Sequence, residues 1–204
     1  IHDRPVPQST VPGEKLAPTQ PFPTRPLAFD RQGLDIDDLI DFSPELRDEA
    51  IEIVGKYDYG PIYNPPSLRG YISMPYMSAA WWNGAAHPGR GWIYVSSRSL
   101  PYRGRIWEAG EDDGGQTRYT GSNARQLTGP RGLPLLKPPY GRITAIALNP
   151  GEHRWMTPVA RGPADHPDLP DLALPVLGST APHHVMSTGA LLFTAPSHPR
   201  QAHT

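Results

Sequence analysis

The chain has 204 residues, a formal charge of -1 from 19 Lys+Arg against 20 Asp+Glu, and no cysteine. The missing cysteine excludes disulfides, thiolate metal sites and cysteine nucleophiles, and the near-zero charge gives no electrostatic footprint for nucleic acid or an anionic membrane. Proline and glycine contribute 27 and 20 residues, a level at which low complexity has to be weighed, yet the tryptophans, tyrosines and several β-branched runs favour a packed fold with long, stiff connections.

No apolar run approaches the roughly 20 residues that span a bilayer, and residues 1–20 lack the basic, apolar and small-residue regions of a signal peptide. Because the chain begins at Ile1, it reads as a segment of something longer. Residues 1–33 carry a proline every few positions. Each fixes φ and removes an amide donor, so extended chain or linker is expected there, with neither helix nor central strand.

One helix signal follows in DFSPELRDEAIEIVGKY, where Ser43 suits the N-cap, Pro44 the first helical position and Gly55 the end. Leu46, Ala50, Ile53 and Val54 fall on one face. Residues 1–58 are therefore read as a proline-rich segment plus a short helix over 43–54, and residues 59–204 as a body of strands. In that body SLRGYISMP, WWNGAAHPGRGWIYVSS, YGRITAIALNPGEHRW and HHVMSTGALLFTAP each hold short strands broken by Gly and Pro turns.

These antiparallel meanders are alike in kind though not in letter, the pattern of a degenerate repeat array. A propeller blade takes about 40 to 45 residues, so the chain has room for two or three blades and cannot close a ring. Long polar or proline-rich loops at 108–132 and 159–178 separate the meanders, and such loops in all-β chains usually carry function. An all-β fold, an incomplete β-propeller with one short helix, is the expectation.

Ala145, Gly151 and Trp155 fit the spacing A-x-x-x-x-x-G-x-x-x-W that closes a blade in quinoprotein dehydrogenases. Ala147 and Pro150 stand where the fuller signature has Asp and Thr. The phrases RPVPQSTVPGEKLAPTQPFPTRPLAFDRQG, YGPIYNPPSLRGYISMP, AAWWNGAAHPGRGWIYVSSRSLPY and GLPLLKPPYGRITAIALNPGEHRW closely resemble, in order and spacing, the later part of pyrroloquinoline quinone (PQQ)-dependent dehydrogenases of the membrane-associated glucose dehydrogenase type. The resemblance covers about residues 3–193.

That resemblance implies an eight-bladed propeller with four strands per blade, with PQQ near the axis beside a divalent cation, usually Ca²⁺. It implies an aspartate base acting on a sugar or polyol hydroxyl, hydride passing to the quinone, and electrons leaving to ubiquinone or a cytochrome on the periplasmic side, with membrane anchoring through segments this chain lacks. It also implies that the blade-closing indole docks between adjacent blades. The family's aspartate base and its principal PQQ-pairing lysine align upstream of Ile1, so no catalytic residue and no metal ligand is assigned within the chain.

The resemblance points to five residues as cofactor contacts. Ser96 follows GWIYV where the family often has an Asn, and its hydroxyl can still donate or accept. Arg98, two residues on and on the same side of an extended strand, offers a guanidinium to a PQQ carboxylate. Lys137 is held before two prolines in LKPPYG. Trp82 lies where the pocket wall is expected. Ala181 precedes Pro182 and His183, which replace a Gly-Gly pair and would crowd the site.

Asp112 and Asp113 read as a solvated loop, and His183 with His184 as a pair on opposite faces that cannot chelate one ion. Two other readings compete with the enzyme portion. One is a noncatalytic PQQ-like repeat scaffold and the other an inactive truncated gene product.

Overall fold

In the computed structural model, which describes residues 1–79, 84–110, 117–122, 124–169 and 174–197, strands dominate and one α-helix accompanies them. In chain order the elements begin with β1 (His2–Pro5), β2 (Thr19–Phe22), α1 (Pro44–Val54), β3 (Tyr71–Ser73), β4 (Gly84–His87) and β5 (Trp92–Arg98). They continue with β6 (Tyr102–Gly104), β7 (Ile106–Glu108), β8 (Tyr119–Gly121), β9 (Arg125–Gln126), β10 (Gly141–Ala147), β11 (Glu152–Pro158), β12 (His183–Ser187) and β13 (Leu192–Pro196). Among the described residues no helix is long and apolar enough to cross a membrane.

The chain forms two compact units. The first comprises Ile1–Phe22, Arg31–Tyr76 and Leu100–Leu136, the second Pro23–Asp30, Met77–Ser99 and Lys137–Thr204. In the first unit the proline-rich start pairs β1 with β2 antiparallel, from His2 opposite Phe22 to Pro5 opposite Thr19. Proline is tolerated because a two-stranded ribbon leaves half of its backbone groups facing solvent.

Ser43 caps α1 by accepting a hydrogen bond from the Leu46 N–H at 3.3 Å, and Leu46, Ala50 and Val54 bury one stripe while Ile53 stays half-buried. Gly55 ends the helix in right-handed backbone, φ -57°, so its left-handed freedom goes unused. Leu39 and Leu136 pair in an isolated bridge, and Leu133 and Leu135 are buried with them. The strands β3, β6 and β9 make one small sheet and β7 with β8 another.

The second unit holds a four-stranded antiparallel sheet in the order β11-β10-β5-β4. Its chain path is a meander interrupted between β5 and β10. Strand β10, GRITAIA, is buried along its whole length, because small and β-branched residues suit a central strand covered on both faces. Leu148, Asn149, Pro150 and Gly151 make the turn to β11, with Gly151 in left-handed backbone at φ +64° and its N–H bonded to the Ala147 carbonyl at 3.0 Å. The Gly of the blade-closing spacing is thus a backbone requirement.

The hairpin β12-β13 packs Val185 and Leu192 onto a cluster of Tyr94, Ile143, Ala145 and Val159 in that sheet. A four-stranded meander followed by a hairpin laid on its face is a propeller blade and the beginning of the next, and the chain is an all-β, incomplete β-propeller.

Candidate functional site

Alternation along β5 sends Trp92, Tyr94, Ser96 and Arg98 to one face and Ile93, Val95 and Ser97 to the other. Opposite the first set β10 places Ala147, Ala145, Ile143 and Gly141 in turn. The middle of this face is the apolar cluster under the β12-β13 hairpin. Its far end, beyond Tyr94, carries Ser96 and Arg98.

Ser96 is buried, 3% exposed, and Arg98 is half-buried. The Arg98 Nη1 donates to the Thr180 carbonyl at 3.3 Å, and its backbone N–H donates to the Ser78 carbonyl at 3.1 Å. The 179–182 bend that receives the guanidinium is itself tied throughout. The Ser179 N–H donates to the Val159 carbonyl at 2.7 Å, and the Ala181 N–H to Ser179 Oγ at 3.0 Å. His183 Nδ1 lies 2.9 Å from the Ala181 carbonyl oxygen, and Ser197 donates through N–H and Oγ to the Pro182 carbonyl.

Two glycines let backbones close in beside this bend. A Cβ on Gly141 would collide with the Ser179 carbonyl, and one on Gly178, at φ +80°, with the Gly141 backbone. Side-chain-free backbone is therefore required where β10 begins.

Beneath the same end, on the opposite face, lies a buried ionic network. Asp30 pairs with Arg142, their side chains 2% and 5% exposed. Asp30 also accepts from Ser78 and from Ser99 Oγ, the latter at 2.5 Å. The Arg142 guanidinium completes its set with the Phe29 carbonyl at 3.0 Å, the Pro139 carbonyl at 2.8 Å and Ser99 Oγ at 2.7 Å. Near full hydrogen bonding is what makes burial of the two charges tolerable. The network fixes residues 29–30, 78, 99 and 139–142, which frame Ser96 and Arg98.

Of the five residues singled out by resemblance, the structure gathers Arg98 and the Thr180–Ala181 bend, with Ser96 on the same face of β5. Both backbone polar groups of Ala181 are engaged within the bend. Lys137 is half-buried and precedes Pro138, Pro139 and Tyr140; the last is held by its N–H to the Leu177 carbonyl and its carbonyl to the Ser99 N–H, both at 2.8 Å. Trp82, like Asp112 and Asp113, lies outside the described residues. His183 is buried and His184 exposed, as opposite faces of β12 require.

Trp155 departs from its expected role. Its ring leans over Ala145 onto Tyr94 of its own sheet, centroids 5.7 Å apart, and it remains 37% exposed. The sheet joint does form on this face, yet its buried aromatic is Tyr94, 6% exposed. Among the described residues the β12-β13 hairpin packs over β4 and β5, the side of the sheet away from β11, and Ala147 and Pro150 lack the polar groups of the fuller docking signature.

Sequence reading missed the Asp30–Arg142 pair, because the partners stand 112 positions apart and Asp30 ends a proline-rich stretch with no periodicity. The one signal available was arginine inside an otherwise apolar run, RITAIA, since a buried strand admits a charge only with a partner. Among the described residues no cluster of three or more His, Asp or Glu could hold a metal ion.

The family model described as "PQQ: Glucose/ethanol/alcohol dehydrogenase, beta-propeller domain" matches residues 1–203. Among curated proteins, the quinoprotein glucose dehydrogenase of Escherichia coli (strain K12) is 24% identical over 222 residues, covering 95% of this chain. The chain spans 27% of that relative's length. No solved structure matches the chain.

PQQ, a flat quinone with three carboxylates, asks for cations against the carboxylates and donors at its carbonyl oxygens. On one face of β5, Arg98 is a cation and Ser96 a hydroxyl, so these two residues are of the kind such a group needs. With a blade and the start of its neighbour in the fold, and a match running nearly end to end, the chain belongs to the PQQ-dependent glucose/ethanol/alcohol dehydrogenase β-propeller family.

Proposed function

We propose that the chain forms one wall of the cofactor pocket in a PQQ-dependent dehydrogenase that oxidises a hydroxyl of a sugar or polyol. Electrons pass to ubiquinone or a cytochrome, and the enzyme works on the periplasmic side of a membrane, anchored by segments outside this chain. The relative named as a glucose dehydrogenase supports the sugar class. The observation that carries the reading is the Arg98 guanidinium, set beside buried Ser96 and held by the tied 179–182 bend.

When bound, PQQ supplies an electrophilic quinone that accepts two electrons from an alcohol. This chain's residues would hold and orient it. Arg98 pairs with a carboxylate while the Thr180 carbonyl keeps its guanidinium in place, Lys137 adds a second positive charge, and Ser96 offers its hydroxyl to a cofactor oxygen. Ala181 and the neighbouring bend close the wall against water. The base on the substrate hydroxyl and the Ca²⁺ ligands come from outside residues 1–204, together with the rest of the propeller.

Isothermal titration of PQQ into the chain tests this. Saturable heat is expected, with affinity at least about tenfold weaker in Arg98→Gln, the scale of one charge-assisted hydrogen bond. A wild-type chain that gives no saturable heat would overturn the reading and favour a noncatalytic propeller scaffold.

A further inference from the structure

At the end that carries Arg98, β5 outruns β4. The register of that pair stops at Gly84 opposite Val95, while β10 continues along the other edge as far as Gly141 opposite Arg98. On the β4 side the Arg98 N–H therefore has no ladder partner, and it donates to the Ser78 carbonyl at 3.1 Å. Ser78 belongs to no strand and is 8% exposed. It follows Met77, whose left-handed backbone at φ +49° persists in a non-glycine residue only where neighbouring contacts hold it.

Asp30 supplies that hold. Its carboxylate accepts from the Ser78 hydroxyl on one side and from Ser99 Oγ at 2.5 Å on the other. Ser99 is the residue after Arg98, and its own N–H donates to the Tyr140 carbonyl at 2.8 Å. One buried carboxylate thus grips both the acceptor of the Arg98 N–H and the next residue of the strand, and Arg142 holds that carboxylate between them. Hydrogen bonds to an ionised group are roughly twice as strong as neutral ones, so the clamp is stiff. Binding groups work when their supports hold them to within about 0.5 Å, and a long side chain magnifies any looseness at its Cα.

Resting on the PQQ reading above, we infer that Asp30 is a positioning residue for the cofactor. From the opposite face of the sheet it fixes the Arg98 backbone through Ser78 and Ser99, and so sets how tightly Arg98 holds a PQQ carboxylate. Asp30 itself touches no part of the cofactor.

Replacing Asp30 would disturb stability as well, so the test goes through Ser78. Ser78→Ala removes the hydroxyl that reaches Asp30 and leaves the carbonyl that receives the Arg98 N–H. Without any cofactor, the Arg98 amide of this variant is expected to exchange with deuterium about tenfold faster than in wild type, while the Ser99 amide, bonded to Tyr140, stays within about threefold. In titrations of PQQ into the 204-residue chain, Ser78→Ala is expected to weaken binding about fivefold, yet by less than about twofold when Arg98→Gln is already present. A general loosening of the fold would weaken both backgrounds by the same factor.

An Arg98 amide indifferent to Ser78→Ala, an unchanged affinity in that variant, or equal losses in the two backgrounds would overturn the inference. A wild-type chain that binds no PQQ, with the exchange result as expected, would instead overturn the functional reading on which the cofactor role of Asp30 rests.

Discussion

Asp30 and Arg142 are worth more as a couple than either is alone. Each was taken out of water, and each is repaid only by the other and by the serine hydroxyls and carbonyls around them. Asp30→Ala leaves a guanidinium buried beside two serines and is expected to cost about 3–5 kcal/mol, read as a fall in the urea midpoint. Adding Arg142→Met to that variant should recover part of the loss, because an apolar side chain of similar length needs no counter-charge. A double variant less stable than Asp30→Ala would show that the carbonyl bonds of Arg142, and not its charge pair, hold the network. Ala145 sits under the Trp155–Tyr94 contact and is fully buried, so Ala145→Leu must prise the two rings apart, at about 1–3 kcal/mol. Between the rings themselves, Tyr94→Ala is expected to destabilise more than Trp155→Ala, since Tyr94 is almost wholly removed from water and Trp155 is not.

At the scale of elements, α1 shows how far local signals reach. Its start could be read from Ser43 and Pro44 because capping depends on neighbours within three residues. Ser43→Ala should cost about 1 kcal/mol. The Ser43 hydroxyl also holds the fully exposed Glu45 carboxyl below its ordinary value of 4.5, aided by the Glu45 backbone N–H and the positive charge of Arg131. A carboxyl depressed in the folded state contributes stability that is complete above its unfolded value and lost as the pH falls through the folded one. Urea midpoints taken near neutrality and below about pH 4 should therefore differ less in Glu45→Gln than in wild type; an equal difference would remove Glu45 from the acid response. Strands β10 and β11 were likewise legible, since the turn between them needs glycine and the apolar run before it has strand character. The contact of Trp155 was not, because which ring a tryptophan meets depends on the strand two positions across the sheet. The same holds for the candidate site: Ser96 and Arg98 sit together by alternation along one strand, whereas the Thr180 carbonyl and the Asp30 network reach that end of β5 only through folding.

For the molecule as a whole, the acids decide what this chain can do unaided. Within the second unit the described carboxylates are Asp30, Glu152, Asp165 and Asp168. Asp30 is sealed in its ion pair, on the face of the sheet opposite Ser96 and Arg98. Glu152 pairs with Arg25 and Asp165 with Arg161, each at 3.5 Å and exposed, and Asp168 lies 3.5 Å from the His166 ring. A general base must come within hydrogen-bond reach of the proton it removes, with its lone pairs free to take it. None of the four meets both demands at the Arg98 end of β5. A chain that binds PQQ through this wall should therefore lack the chemistry that follows. Supplied with PQQ, Ca²⁺, glucose and an artificial electron acceptor, the purified 204-residue chain is expected to reduce no acceptor above a blank without protein, while still giving saturable heat with PQQ. Turnover lost on removal of PQQ would mean that a base lies within these residues after all, and Asp30, released from Arg142, would be the first to replace.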